Sequence, residues 1–448
     1  MSLLDVAMVR RALGAAEPLV TAGRVTRAAG VIIEAALPHV AVGASCEVRA
    51  LGGRMIGAEV VGVAGSSALL MPFGELKGIG EGCPVFPRTS VGEIAVGDGL
   101  LGRVVDAAMR PVDGRGTTGG GTRVPLHAAA PPAMSRRRIS QPLVLGIRAL
   151  DAFLTCGEGQ RLGIMAGPGV GKSVLLGMLA RSADVDVIVV GLVGERGREV
   201  REFVERDLGP TGLKRSAIVV ATGDEPPLVR VRAAMAATAI AEHFRSRGRR
   251  VLLLVDSLSR VAMAQREIGL AAGEPPTSRG YPPSVFALLP RLVERAGNDA
   301  GPGSITALYT VLAEGDDLAE PVTDAARASL DGHIVLSRRL ANAGHFPAID
   351  LLESVSRVMT DVVSAQHREL ARDAREVLAT YRESADLVEV GAYVAGSNPR
   401  VDRALRCVHP LNAFLRQDPN EQLGLDETLR RLREVLAAGR ADAKEASS

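Results

Sequence analysis

The sequence is short of several things. It has no tryptophan, and aromatic residues make up 3% of its 448 positions. Proteins that hold single-stranded nucleic acid stack bases on aromatic side chains, so this scarcity argues against such a platform. Neither sign of charge is in excess: 53 Lys and Arg stand against 51 Asp and Glu, a formal +2. A general nucleic-acid binder carries a stronger basic bias, so no nucleic-acid partner is expected. The four cysteines, Cys46, Cys83, Cys156 and Cys407, are far apart and form no CxxC pair. With no signal peptide visible, they read as free thiols of a reducing cytoplasm. No apolar run approaches the ~20 residues of a membrane span, so any membrane association is expected to be peripheral or through a partner. No repeat of solenoid period is visible. What is there is 47% hydrophobic and 23% charged, a globular composition on a chain long enough for roughly two or three domains.

Glycine is plentiful, and one glycine-rich stretch organises the rest. Ala166-Gly167-Pro168-Gly169-Val170-Gly171-Lys172-Ser173 follows Leu162–Met165, which reads as a buried strand, and precedes Val174–Arg181, which reads as a helix. Strand, glycine turn and helix is the context of a phosphate-binding loop. Glycines let backbone N–H groups turn inward, and the helix N-terminus adds partial positive charge. Lys172 can reach the β- and γ-phosphates of ATP, and Ser173 can place a hydroxyl on Mg²⁺. Gly167, Pro168, Gly169, Val170, Gly171, Lys172, Ser173 and Val174 are therefore the candidate nucleotide-binding residues. Ala166 replaces the usual first glycine and is small enough to keep the turn.

Along the chain, residues 1–20 could form an amphipathic helix with Leu3, Val6, Val9 and Leu13 on one face. It is read either as packed on its own domain or as a docking element. Residues 21–95 alternate short valine- and isoleucine-rich runs with glycine turns, which predicts a small antiparallel β-barrel. Strands are predicted at 162–166, 186–193, 216–221, 251–256, 304–312 and 333–337, with helices between them. This is an α/β domain with a mainly parallel sheet, assigned to residues 96–365. Residues 366–448 read as a helical domain with a disordered tail from Ala441. Residues 114–135 read as irregular and exposed, and Arg136-Arg137-Arg138 as a solvated face or local ion pairs.

Three further stretches bear on the phosphate loop. Arg250–Ser257 is a buried apolar run ending in Asp256, and an acid at the end of a parallel strand points into the ligand crevice. Asp256 is a candidate Mg²⁺ ligand, read as acting through water. Glu195 follows another strand and is the candidate to polarise the attacking water; its alternative is a helix-start glutamate favoured by the dipole. Arg196 could meet phosphate or only stabilise its turn. Arg357 is a candidate arginine finger, with a structural arginine as its alternative. Phe346 is read as packing on adenine or in the core.

Together these residues resemble the F1/V-type rotary ATPase family and, more closely, the ATPases of bacterial type III export, especially the flagellum-specific form. The segments that carry the resemblance are Ala166–Ser173, Val190–Glu205, Val251–Arg266, Gly273–Tyr281, Asp331–Arg338 and Phe346–Met359, and it spans about residues 20–420. Gly273–Tyr281 and Ala262–Gly269 favour an export ATPase, and Leu387–Asp402 looks more flagellar than injectisome-like. The resemblance implies an N-terminal β-barrel, a RecA-like P-loop NTPase core and a C-terminal helical domain. It implies a homohexamer that hydrolyses ATP with Mg²⁺ at subunit boundaries to energise flagellar protein export. In that frame Ser173 and Asp256 hold magnesium, Glu195 is the base, Arg196 meets phosphate, Arg357 acts in trans and Phe346 packs on adenine. It also implies a stator-like regulator at the N-terminal helix, export chaperone–substrate complexes near the C-terminal domain, and an export gate at the inner face of the cytoplasmic membrane. The rival readings are an injectisome ATPase, a hexameric RNA helicase and a non-catalytic nucleotide-holding ring subunit.

Overall fold

A computed structural model describes residues 22–88, 92–313 and 320–445. The helix expected over residues 1–20 lies outside the described residues. The chain divides into two units, Met1–Glu93 with Glu267–Glu274, and Ile94–Arg266 with Pro275–Ser448.

The first unit holds a closed six-stranded barrel, built from Gly23–Ala29, Ile32–Ala36, Ser45–Arg49, Met55–Ala64, Ser67–Pro72 and Pro84–Pro87. Side chains alternate across each strand, so Ile33 and Ala35, Cys46 and Val48, and Ala58 and Val60 enter one core. The barrel closes where Gly23 pairs with Val85. A Cβ on Gly23 would meet Ala36 O at 2.4 Å, so this close approach requires glycine. Closure leaves no open sheet edge. The first five strands match the predicted runs. The sixth, Pro84–Pro87, is not legible as a strand because two of its four residues are proline, which lacks the ladder donor.

The second unit is a nine-stranded sheet. Its path runs Ile349–Ser356, Gly332–Leu336, Arg161–Ala166, Ser304–Leu312, Arg250–Asp256, Val187–Glu195, Ser216–Thr222 and Arg103–Asp106. Every neighbouring pair on that path is parallel except the first, and Gly297–Asn298 adds a short antiparallel partner to Ser304–Leu312. The central strands are buried nearly end to end, as a sheet covered on both faces requires. The six predicted strands lie within two residues of these bounds. Arg103–Asp106 and Ile349–Ser356 add the two edges. Ile349–Ser356 carries Asp350 and Glu353 and is buried mainly in its first half, so it lacks the apolar run that marked the others.

The C-terminal helices Ala365–Glu389, Pro399–Leu415 and Leu425–Glu445 belong to the same unit as the sheet. Ser364 caps the first by accepting from His367 N, and Asn398 caps the second by accepting from Arg400 N, with Pro399 in its first turn. Ala374, Val377, Cys407, Leu411 and Leu432 share one core with Leu150 and Phe153. The last helix runs through 441–445, part of the stretch read as a disordered tail. All four cysteines are free and buried. Arg136 is not a solvated face: it pairs with Glu294 and donates to the carbonyls of Pro131, Glu294 and Ala296. Among the described residues no helix is long and apolar enough to cross a membrane.

Candidate active site

Parallel strands end together, and their C-terminal edge builds the site. Ala166 is level with Leu312, and Asp256 is level with Leu192. Ala166 leads into the loop, in which Gly169 (φ +77°) and Gly171 (φ +89°) take left-handed backbone that a Cβ would strain. Val170 turns inward, 2% exposed, and anchors the loop from below. Pro168, Gly169 and Val174 are exposed, whereas Gly167 is buried. Gly171 precedes the Lys172–Ser182 helix, whose first amides have no helical acceptor and carry the positive end of the dipole.

Three predicted residues meet here. Lys172 Nζ donates to Asp256 Oδ1 at 2.5 Å and to Glu195 Oε1 at 3.1 Å. Burial alone would lower the Lys172 ammonium's pKa, but the charges of Asp256 and Glu195 outweigh it and hold the group protonated. Burial and the nearby Asp256 charge push Glu195 up to about 7, against the opposing pull of Lys172. A carboxylate with that affinity for protons is suited to polarising water near neutral pH. Glu199 hydrogen-bonds Glu195 and is itself held below the ordinary range by that contact.

The remaining predicted residues are arranged differently. Phe346 is 46% exposed, and its ring edge would lie 3.4 Å from a Cβ on Gly171. It therefore borders the phosphate loop, and its carbonyl accepts from Gln417 N. Arg196 points to solvent, 83% exposed, and pairs with Glu199 at 3.3 Å. Arg357 is exposed at the opposite end of the sheet. It follows Ser356, which pairs with Gly332 at the start of a parallel strand, whereas Ala166 is level with Leu336 at that strand's end. Four strand steps of ~3.3 Å, from Gly332 to Leu336, separate the two ends by about 13 Å, so Arg357 is remote from its own chain's loop.

The sequence assigns no role to other residues of the site. Thr310, fully buried in an apolar strand, donates to Asp256 Oδ1 at 2.6 Å. Arg260 packs its stem against Gly194, beside Glu195, and its Nε is buried without a hydrogen-bond partner. A guanidinium donor in that state suits an anionic oxygen. Arg338 donates to Pro168 O at 3.3 Å. Arginines are too common in this chain for spacing to single these out.

The donor set fits Mg²⁺ with phosphate. Among the described residues no cluster of three or more His, Cys, Asp or Glu could hold a metal by itself. A hard ion held by the Ser173 hydroxyl and the Asp256 carboxylate would take its other oxygens from nucleotide and water, as Mg²⁺ does.

Comparisons with known proteins agree with this architecture. Residues 25–87 match the beta-barrel domain of the ATP synthase alpha/beta family, and residues 146–356 match its nucleotide-binding domain. Residues 363–434 match the C-terminal domain of the T3SS EscN ATPase. The chain is 52% identical over 430 residues to a flagellum-specific ATP synthase of Pseudomonas aeruginosa, covering 95% of each chain. It is 50% identical to a type 3 secretion system ATPase of Sinorhizobium fredii, covering 92% of this chain and 91% of that one. Its fold matches the assembled ATPase EscN of enteropathogenic E. coli, solved in complex with its central stalk EscO. That match has TM-score 0.85 and 42% identity, and covers 92% of this chain and all of that one. With about half of the positions shared from the barrel to the C-terminal helices, the chain belongs to the ATP synthase alpha/beta family, in the branch of flagellum-specific and type III secretion ATPases.

Proposed function

We propose that the chain hydrolyses Mg²⁺·ATP as a homohexameric ring and energises export of flagellar proteins. The observation that carries the chemistry is the Lys172–Glu195–Asp256 cluster beneath an open glycine loop at the helix N-terminus. Loop amides and Lys172 hold the β- and γ-phosphates. Magnesium, held by Ser173 and Asp256, would neutralise phosphate oxygens. Glu195 polarises a water for attack on the γ-phosphorus as the bond to the β–γ bridging oxygen breaks. In this reading Arg196, exposed and paired with Glu199, meets phosphate, and Phe346, which borders the loop, packs on the base.

Arg357 in this reading serves the neighbouring subunit. Its distance from its own loop argues against action in cis, and negative charge on the transferred phosphoryl calls for such a cation. The neighbour's site is then completed in trans, so turnover in this reading requires ring assembly.

The partners follow from the family: a stator-like regulator at the N-terminal segment, export chaperone–substrate complexes at the C-terminal helices, and an export gate. The protein is then cytoplasmic and peripheral to the inner membrane face. An injectisome is the second reading of the cargo, because relatives of both kinds match almost equally, at 52% and 50% identity. Rescue of motility in a flagellar export-ATPase deletion strain favours the first, and rescue of effector secretion alone favours the second.

The mechanism is tested by specific ATPase activity against protein concentration, wild type beside Arg357→Ala, with mass photometry on the same samples. Activity should rise with the hexamer population and fall by a factor on the order of a thousand in the variant. Flat activity per monomer, insensitive to Arg357, would overturn the shared site.

A further inference from the structure

We propose that Asp331, clamped by Arg161, positions Arg357, so that the strand leading into a subunit's own phosphate loop also fixes the arginine lent to the next subunit. The inference rests on the reading of Arg357 as acting in trans.

The contacts converge on one residue. The Asp331 carboxylate accepts from Arg161 N at 3.0 Å, Nε at 3.0 Å and Nη2 at 3.1 Å. The main chain repeats the link: Asp331 N donates to Arg161 O at 2.8 Å, and Arg357 N donates to Asp331 O at 3.0 Å. Residue 331 thus touches both the first residue of the Arg161–Ala166 strand and the backbone of Arg357. Gln160, fully buried, adds a second tie. Its Nε2 donates to Asp331 O at 3.3 Å and to Ser356 Oγ at 3.1 Å, and its Oε1 accepts from Gly157 N at 2.8 Å. Ser356 Oγ in turn donates to Thr155 O at 3.2 Å. Gly332 lets the edge strand come this close, since a Cβ there would meet Val355 O at 2.3 Å.

The arrangement has a mechanical meaning. A surface arginine on an edge strand would wander, yet a finger must meet a transition state to within a fraction of an ångström. The side chain of Arg357 is exposed, while its backbone is held by the bond from Arg357 N to Asp331 O and by the ties on the adjacent Ser356 hydroxyl. The anchor is the N-terminal end of the strand whose C-terminal end, Ala166, opens the phosphate loop. A shift of that strand on nucleotide binding would therefore be felt at the finger. Asp331 touches no substrate; it is a positioning residue.

A simple stapling role for Asp331 would lower stability without selecting one half of a shared site, so subunit mixing separates the two. Full-length Asp331→Asn should lose about 10- to 100-fold in kcat, with KM for ATP changed by less than about twofold. Combining it with Arg357→Ala should slow the enzyme no further than Arg357→Ala alone. Mixing Asp331→Asn with Glu195→Gln subunits should restore activity, because the second supplies intact arginines to the first's intact loops. Random assembly makes about a quarter of the boundaries competent. Arg357→Ala mixed with Glu195→Gln is the control. If that control gives no recovery, the trans reading falls. If it recovers and Asp331→Asn does not, or if Asp331→Asn has normal kcat, the positioning role falls. Should Asp331→Asn not fold, Ser356→Ala removes the hydroxyl bonded to Gln160 and Thr155 and leaves the Asp331–Arg161 clamp. It should show a smaller kcat loss, about threefold, with the same recovery on mixing, and an unchanged kcat would count against the proposal.

Discussion

Lys172 Nζ lies 2.5 Å from Asp256 Oδ1 and 3.1 Å from Glu195 Oε1. The nearer acid is also the more buried, and Thr310 orients it. Asp256 is therefore the main counter-ion of Lys172, and Glu195 is left with a weaker hold on it. Neutralising Glu195 leaves the Lys172–Asp256 pair standing, whereas neutralising Asp256 strands a buried cation.

That asymmetry predicts the behaviour of Glu195→Gln. Nucleotide affinity should stay within about threefold of wild type, while kcat falls by about 100-fold or more. Equilibrium binding of a fluorescent nucleotide beside steady-state turnover reads both quantities. Near-normal turnover would remove Glu195 from the role of base.

Arg260 gives a second expectation. Its Nε is buried without a hydrogen-bond partner and its stem packs against Gly194, next to Glu195; in the proposed mechanism it serves the terminal phosphate and not the base. Arg260→Ala should lower kcat by about tenfold or more and leave ADP affinity within about twofold, since ADP lacks that phosphate. An equal loss of ADP and ATP affinity would point instead to a structural arginine.

The ring of Phe346 borders Gly171, and its carbonyl is held by Gln417. Gln417 is buried and also accepts from Arg148 N and donates to Gly146 O. Phe346→Ala should raise KM for ATP by about three- to tenfold and leave kcat near normal, because base contacts form equally in ground and transition states. A fall in kcat without a change in KM would contradict contact with the base.

Much of this was legible beforehand, and the reasons are local. Buried parallel strands are unbroken apolar runs, so Arg250–Asp256 and Ser304–Leu312 announce themselves. Gly169, Gly171 and Lys172 carry a pattern whose chemistry depends on backbone alone. For the opposite reason Thr310 was silent, and Arg260 and Asp331 lay in segments that carry the family resemblance without a role of their own. Each acts through a partner distant in sequence: Thr310 through Asp256, Arg260 through Gly194, Asp331 through Arg161. Single-sequence spacing carries no record of such tertiary pairs. Arg357 stands between the cases, because its residue type suggested a finger but only the sheet register places it away from its own loop.

Asp151 yields a prediction about stability rather than turnover. Its carboxylate is fully buried and accepts from Leu145 N and Gly146 N, both at 2.8 Å. Burial favours the neutral acid, while those amides and that of Ile147 favour the anion; burial wins and pushes the group from 3.8 up to about 7. The folded state then holds this proton more tightly than the unfolded chain does. Its contribution to stability is complete below about pH 4 and is lost as pH rises through 7. Asparagine mimics the protonated acid and cannot titrate. Wild type should lose stability relative to Asp151→Asn between pH 4 and 8, by up to ~4 kcal/mol on the scale of 1.36 kcal/mol per unit. Melting temperatures of the two proteins, taken at one scan rate across that range, give the comparison. A difference that stays constant with pH would mean Asp151 does not titrate there. One of opposite slope would mean that the backbone amides outweigh burial and keep the carboxylate charged.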